Sequence, residues 1–195
     1  MNRIVLLGDS LTAGVFDGYP SAILTRKLGE KFPQCDFINR GVPGDNTRNA
    51  LSRLQADVFE VKPQVVIIFF GTNDAAANDI SSEDYKANLR EMIDQIGSQK
   101  VILVTPGLAS LARSERNDQK MAAYALATRE VAHSYQIPLA DWHQVFLKHE
   151  KDRDQLLQAD GLHYTKAAYD LLVATISPVL DAKLQPEYNF FEKEN

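Results

Sequence analysis

Three runs, at residues 4–7, 65–70 and 101–104, contain only Ile, Val, Leu and Phe, with no polar residue inside any of them. A strand with one face in water alternates apolar and polar residues, so an unbroken apolar run of this length is a strand buried on both faces. That condition is met by a parallel sheet covered with helices on both sides. Weaker strand signals at 36–39 and 137–140 bring the expected number to five. Between the strands lie segments with helical periodicity, at 20–31, 47–61, 82–96, 116–135 and 165–184. Ser82, followed by Glu83 and Asp84, and Thr165, ahead of Ala167 and Ala168, read as helix N-caps. Parallel neighbours need long crossovers, and strand–helix alternation along the whole length supplies them. The expectation is a three-layer α/β/α fold. One domain spans residues 1–195, with 45% hydrophobic content to fill its core and only residues 184–195 reading as a detachable tail.

Charge and cysteine usage narrow the function classes. Twenty-one Lys and Arg against 26 Asp and Glu give a net charge of −5 without long blocks of one sign, which argues against a nucleic-acid partner. The apolar run at residues 4–7 is too short for a signal peptide or a membrane span, so the expectation is a cytoplasmic chain with no stable membrane insertion. Cys35 is the single cysteine and cannot form an internal disulfide; at the start of a strand it reads as a small core filler. The spacings of His143, His149, Asp160 and His163 match no familiar metal-ligand pattern, so no metal is expected.

Polar residues gather where the strands end, and in open α/β sheets ligands bind outside the carboxyl ends of the strands. The first strand runs into Gly8-Asp9-Ser10-Leu11-Thr12, where Ser10 is either a nucleophile or a helix cap. The second runs into Asn39 through Asn46, with Gly41 and Gly44 permitting a tight turn; Gly44 is an oxyanion donor, or the turn merely leads into a helix capped by Asp45 or Asn46. The third opens onto Gly71-Thr72-Asn73-Asp74, where Asn73 donates through its amide or serves as a cap. Ahead of the last helix, Asp160-Gly161-Leu162-His163 places a carboxylate three residues before an imidazole. An Asp that accepts from Nδ1 leaves Nε2 free to act as a general base. His133 falls within a helical segment, and His143 and His149 lie in a polar segment without an acidic residue three positions upstream; all three read as surface or packing residues.

Together these four blocks resemble the GDSL or SGNH hydrolase family, in its order and over nearly the whole chain. The resemblance implies a flavodoxin-like five-stranded parallel sheet and no metal or organic cofactor. It implies catalytic Ser10, Asp160 and His163, with an oxyanion hole formed by Ser10, Gly44 and Asn73. Those groups converge only if the first strand lies between the second and third, in the order 2-1-3-4-5. An α/β-hydrolase elbow, G-x-S-x-G, is disfavoured because Thr12 stands where its second glycine belongs. The implied activity is hydrolysis of small-molecule esters or thioesters through an acyl-enzyme on Ser10. Small residues at 74–78, and a stretch at 107–112 that adds Leu108 and Leu111 but no extended aromatic lining, suggest a shallow site and short acyl chains, with a lysophospholipase or long-chain thioesterase as the alternative. Two non-enzymatic readings stand beside it: a flavodoxin-like phosphate- or nucleotide-binding module, and a partner-docking tail through Tyr188, Phe190 and Phe191. Oligomeric state leaves no signature in the sequence.

Overall fold

The computed structural model describes residues 1–185, so Tyr188, Phe190 and Phe191 lie outside the described residues. One parallel sheet is built from β1 (Asn2–Gly8), β2 (Cys35–Gly41), β3 (Val65–Phe69), β4 (Val101–Val104) and β5 (Leu139–Ala140), in the spatial order 2-1-3-4-5. The three unbroken apolar runs are the three inner strands, β1, β3 and β4, and all of their aliphatic residues are buried. The weaker signals belong to the edges. β2 is only partly covered beyond Cys35, which is buried at its start, and β5 is reduced to two residues, beginning after Pro138 rather than at 137.

Register does the positioning. Gly8 stands opposite both Gly41 and Phe69, so β1, β2 and β3 end level and their loops emerge side by side. The helical elements are α1 (Ser10–Ala13), α2 (Ile23–Lys31), α3 (Thr47–Ser52), α4 (Thr72–Ala76), α5 (Ser82–Ile96), α6 (Asp118–Tyr135), α7 (Trp142–Lys148), α8 (Arg153–Leu156) and α9 (Lys166–Leu184). α2 packs on α9 over one side of the sheet, and α5 packs between α3 and α6 over the other. This is the flavodoxin-like three-layer arrangement. Among the described residues, no helix is long and apolar enough to cross a membrane.

Several boundaries depart from the sequence pattern for identifiable reasons. The segment at 20–31 becomes helical only at Ile23, because Tyr19–Pro20 pairs with Val15–Phe16 in a small antiparallel hairpin. The segment at 47–61 stops after Ser52 and resumes as a π-helical turn, Gln55–Phe59; Arg53, at the break, turns its guanidinium toward the ends of β1 and β2. The cap of α5 is Ser81, not Ser82: its Oγ accepts from the Asp84 N–H and the Asp84 carboxylate accepts from the Ser81 N–H, a reciprocal capping box. α6 begins at Asp118, because the Asn117 side chain accepts from the Lys120 N–H at 2.9 Å and Arg116 belongs to a 3-10 turn, Ser114–Arg116. Thr165 caps α9 as expected. α7 and α8 were hidden by the polar composition of their segment, whose buried aromatics are Trp142 and Phe146, one helical turn apart. Those rings join Tyr164 and Tyr169 in a buried cluster with centroids 5.3–5.8 Å apart. Tyr164 directly follows His163, and the Tyr169 hydroxyl donates to the Leu11 carbonyl at 2.8 Å, so this cluster fastens the start of α9 beside α1.

Candidate active site

Close backbone approach sets the first loop. A Cβ at Gly41 would lie 2.2 Å from the Ala13 nitrogen and one at Gly8 would lie 2.0 Å from Thr12 Oγ1, so only glycine at both positions lets α1 sit directly on the strand ends. Asp9 caps that turn, its Oδ1 accepting from the Leu11 N–H at 2.8 Å. Capping is therefore the task of Asp9 and not of Ser10, whose hydroxyl makes no hydrogen bond with the described residues. Ser10 is 6% exposed. Asp9 is buried among Asp74, Asp45 and Arg116; burial pushes its pKa up to about 7, with Asp74 and Asp45 adding to the rise and the Leu11 N–H and Arg116 opposing it.

Beyond β2, the Asp45 N–H donates to the Val42 carbonyl at 3.1 Å, closing a turn with Pro43 and Gly44 at its centre. Gly44 has φ +81°, which suits the third position of a type II turn after proline. The turn is exposed at Gly44. α3 is capped by Asn46, which accepts from the Asn49 N–H, while Asp45 pairs with Arg53 at 2.7 Å.

Asn73 is the second residue of α4, and the capping contact expected of it is made by Asp74, whose Oδ2 accepts from the Gly71 N–H at 3.2 Å. The Asn73 Nδ2 donates to the Asp45 carbonyl at 2.8 Å and lies 3.4 Å from Asp9 Oδ2. One amide thus bridges the three strand-end loops that carry Ser10, Gly44 and Asn73. Asp74 is wholly buried, its Oδ1 accepting from the Thr47 N–H at 3.0 Å and from the Thr47 hydroxyl. Asp74 and Ala75 are buried, as are Gly107, Leu108 and Ala109, so five of the residues expected to border a shallow site lie beneath its surface instead.

His163 Nδ1 and Asp160 Oδ2 are 2.5 Å apart, and Asp160 Oδ1 accepts from the Leu162 and His163 N–H groups at 2.9 and 3.0 Å. Partial burial raises the Asp160 pKa, but the hydrogen bonds from the His163 ring and from those two amides outweigh it and hold the carboxyl below the usual range. A carboxylate fixed at Nδ1 leaves Nε2 outward, and Nε2 has no partner among the described residues. Gln158 Nε2 donates to the Val15 and Tyr164 carbonyls, each at 2.8 Å, tying the histidine loop to the chain just after α1. Ser10 Oγ and His163 Nε2 make no direct hydrogen bond in this structure; in an unliganded site that bond commonly tightens only when substrate arrives. His143 is buried on α7 with Nδ1 3.2 Å from the Pro106 carbonyl, a packing histidine.

The model of the GDSL-like lipase/acylhydrolase family matches residues 6–171, a span that runs from β1 into α9 and holds every one of these loops. The chain belongs to that family. A mouse isoamyl acetate-hydrolyzing esterase 1 homolog is 31% identical over 93% of this chain and 82% of its own length. The isoamyl acetate-hydrolyzing esterase of Schizosaccharomyces pombe is 26% identical over 90% of this chain and 75% of its own. A lipase/acylhydrolase from Enterococcus faecalis has a crystal structure that superposes with a TM-score of 0.89 at 36% identity, covering 96% of this chain and 99% of that one. Like its relatives, this GDSL-like acylhydrolase is an ester-bond hydrolase.

Sequence reasoning missed three arginines of the acylhydrolase, each reaching a different loop of the site. Arg53 NH2 donates to the Gly8 carbonyl and NH1 to the Arg40 carbonyl, both at 3.0 Å, while Nε holds Asp45. Arg113 donates from Nε and NH2 to the Asp160 carbonyl at 3.0 and 2.7 Å. Arg116 donates from NH2 to Asn73 Oδ1 and from Nε to the Thr72 carbonyl, both at 3.0 Å. No motif announces them, since their partners lie 43 to 47 positions away for the contacts to Gly8, Asp160 and Asn73.

Proposed function

We propose that this acylhydrolase cleaves short-chain carboxylic esters of small molecules through an acyl-enzyme on Ser10. The observation that carries the reading is the pairing at 2.5 Å of Asp160 with His163 Nδ1, which leaves Nε2 unpartnered in a loop that Gln158 and Tyr169 tie to the chain around α1, where the Ser10 hydroxyl is unbonded. Ser10 Oγ attacks the acyl carbonyl as its proton passes to His163 Nε2, and Asp160 stabilises the imidazolium that forms. The oxyanion is received by the Ser10 and Gly44 N–H groups and by the Asn73 Nδ2 hydrogen that the Asp45 carbonyl does not hold, which gives up its long 3.4 Å contact with Asp9. The imidazolium returns the proton to the departing alkoxide, and water, activated by the same histidine, releases the acid.

Two observations support short acyl chains. The isoamyl acetate-hydrolyzing relatives are named for an acetate ester. Among the described residues, the large apolar side chains exposed near the loops are single ones: Val42 beside the Gly44 turn, Tyr19 on the small hairpin that Gln158 contacts, and Leu111 beyond Ser110, whose N–H donates to the Gly161 carbonyl at 2.8 Å. Each methylene that is fully buried is worth about 0.8 kcal/mol, so a long tunnel rewards every added carbon whereas side chains at the surface reward only the first few. The test is kcat/KM for one leaving group with acyl chains of graded length, below micelle formation and with Ser10→Ala as the blank. Acetyl to butyryl esters are expected to lead. A rise that continues beyond about eight carbons would assign the site to a long-chain thioesterase or lysophospholipase.

A further inference from the structure

We infer that Arg116 is a positioning residue that orients and polarises the Asn73 amide; the inference rests on the reading of Asn73 as an oxyanion donor. The Asn73 side chain has two ends with opposite neighbours. On one side stand acceptors, the Asp45 carbonyl at 2.8 Å and the Asp9 carboxyl at 3.4 Å; on the other stands the Arg116 guanidinium, with NH2 at 3.0 Å. A guanidinium only donates, and it stays charged throughout the working pH range. Turning the amide over would set its carbonyl against two oxygens and its NH2 against a cation, so Arg116 closes off the reversed orientation. The amine end is thereby committed to the side where Asp9 and the Gly44 loop lie.

The cation also acts on the strength of the donor. A positive charge hydrogen-bonded to Oδ1 draws electron density through the conjugated amide and makes the Nδ2 hydrogens more acidic, and such polarisation along a chain of hydrogen bonds is strongest away from water. Arg116 is suitably shielded, its side chain being 13% exposed. Its fork is fixed at the other corners by the Thr72 carbonyl at 3.0 Å and by Glu115 Oε1 at 2.7 Å, so it has no freedom to swing away from Asn73. The 3-10 turn that displaces Arg116 from α6 is what aims it at α4. A lysine cannot reproduce this arrangement, because a single ammonium lacks the planar fork that serves Thr72 and Asn73 together.

Because the amide matters when charge develops on the substrate oxygen, the effect falls on kcat and not on KM. With a short-chain ester, Arg116→Ala is expected to lower kcat about tenfold or more, with KM changed by less than about twofold, and Arg116→Lys is expected to recover only part of the loss. Guanidinium ion added at millimolar concentration should restore part of the turnover of Arg116→Ala. In an Asn73→Ala background, Arg116→Ala should cause no further loss and guanidinium should restore nothing. Equal losses in the two backgrounds, full activity in Arg116→Ala, or rescue that persists without Asn73 would each overturn the inference. Should Arg116→Ala fail to fold, the same comparison is made with Arg116→Lys. Turnover that survives in Ser10→Ala would sink the serine mechanism and this inference with it, whereas an inactive Ser10→Ala together with additive losses from Arg116→Ala and Asn73→Ala would sink the inference alone.

Discussion

Replacing Asp9 with Asn is expected to stabilise the fold at alkaline pH and not at acid pH. The Asp9 carboxyl is 1% exposed, and its pKa is pushed from 3.8 up to about 7, chiefly by burial. The sign follows from which state holds the proton. Below pH 3.8 the carboxyl is protonated both folded and unfolded and contributes no difference. As pH rises toward about 7, the unfolded chain gives up the proton and the folded chain keeps it, so stability falls across this window and then levels off. At about 1.4 kcal/mol per pH unit, a window of roughly three units bounds the full loss at about 4 kcal/mol above pH 7. Asn has nearly the same shape, never ionises, and its Oδ1 still accepts from the Leu11 N–H. What it gives up is the 3.4 Å contact with Asn73, because its own Nδ2 would face the Asn73 Nδ2 donor to donor, at a cost of about 1–3 kcal/mol. The balance favours Asn by up to about 3 kcal/mol at pH 8, and for a chain of this size each kcal/mol shifts Tm by about 2–4 °C. Thermal melts of both proteins at pH 4.5, 6 and 8 are the assay, read as the difference between them, because Asp74 is also raised by burial while Asp160 and Asp141 are lowered. A Tm advantage that is the same at every pH, or a loss at pH 8, would refute the assignment of a buried and reluctantly ionised carboxyl.

Two further outcomes test the proposed chemistry. Ser10→Ala and His163→Ala should each abolish most ester turnover while leaving the melting curve in place, and the double variant should be scarcely slower than either; independent, multiplying losses would separate the two residues. Asn73→Ala should lower kcat about a hundred- to a thousandfold with KM nearly unchanged, measured under saturating substrate, and an unaltered kcat would leave its amide only the bridge to Asp45.

The inner strands were legible because burial on both faces forces an unbroken apolar run, whereas the edges β2 and β5 needed only part of that signal and showed only part of it. Ser10, Gly44, Asn73 and the Asp160–His163 pair stood out in the sequence as candidates for a different reason: each sits in a loop at a strand end or just before a helix, where packing does not call for these residues. What stayed hidden is the layer behind them. A loop fixes its backbone with few hydrogen bonds of its own, so a side chain presented from a loop is only as well placed as its neighbours make it. Here Arg53 spans the carbonyls at the ends of β1 and β2 and holds Asp45, Arg113 holds the carbonyl of Asp160, and Arg116 holds the carbonyl of Thr72 and the amide of Asn73. Each long side chain leaves one loop or helix end to grip another far away in sequence, and which one it grips is decided by sheet order and register, not by any local pattern. The 2-1-3-4-5 order puts the ends of β1, β2 and β3 side by side, and once it is known, an arginine beside any of those ends has only a few carbonyls within reach. Arg116 shows how far local reasoning carried: helical periodicity includes it at the head of α6, and the Asn117 cap one residue later is what releases it from the helix to face Asn73.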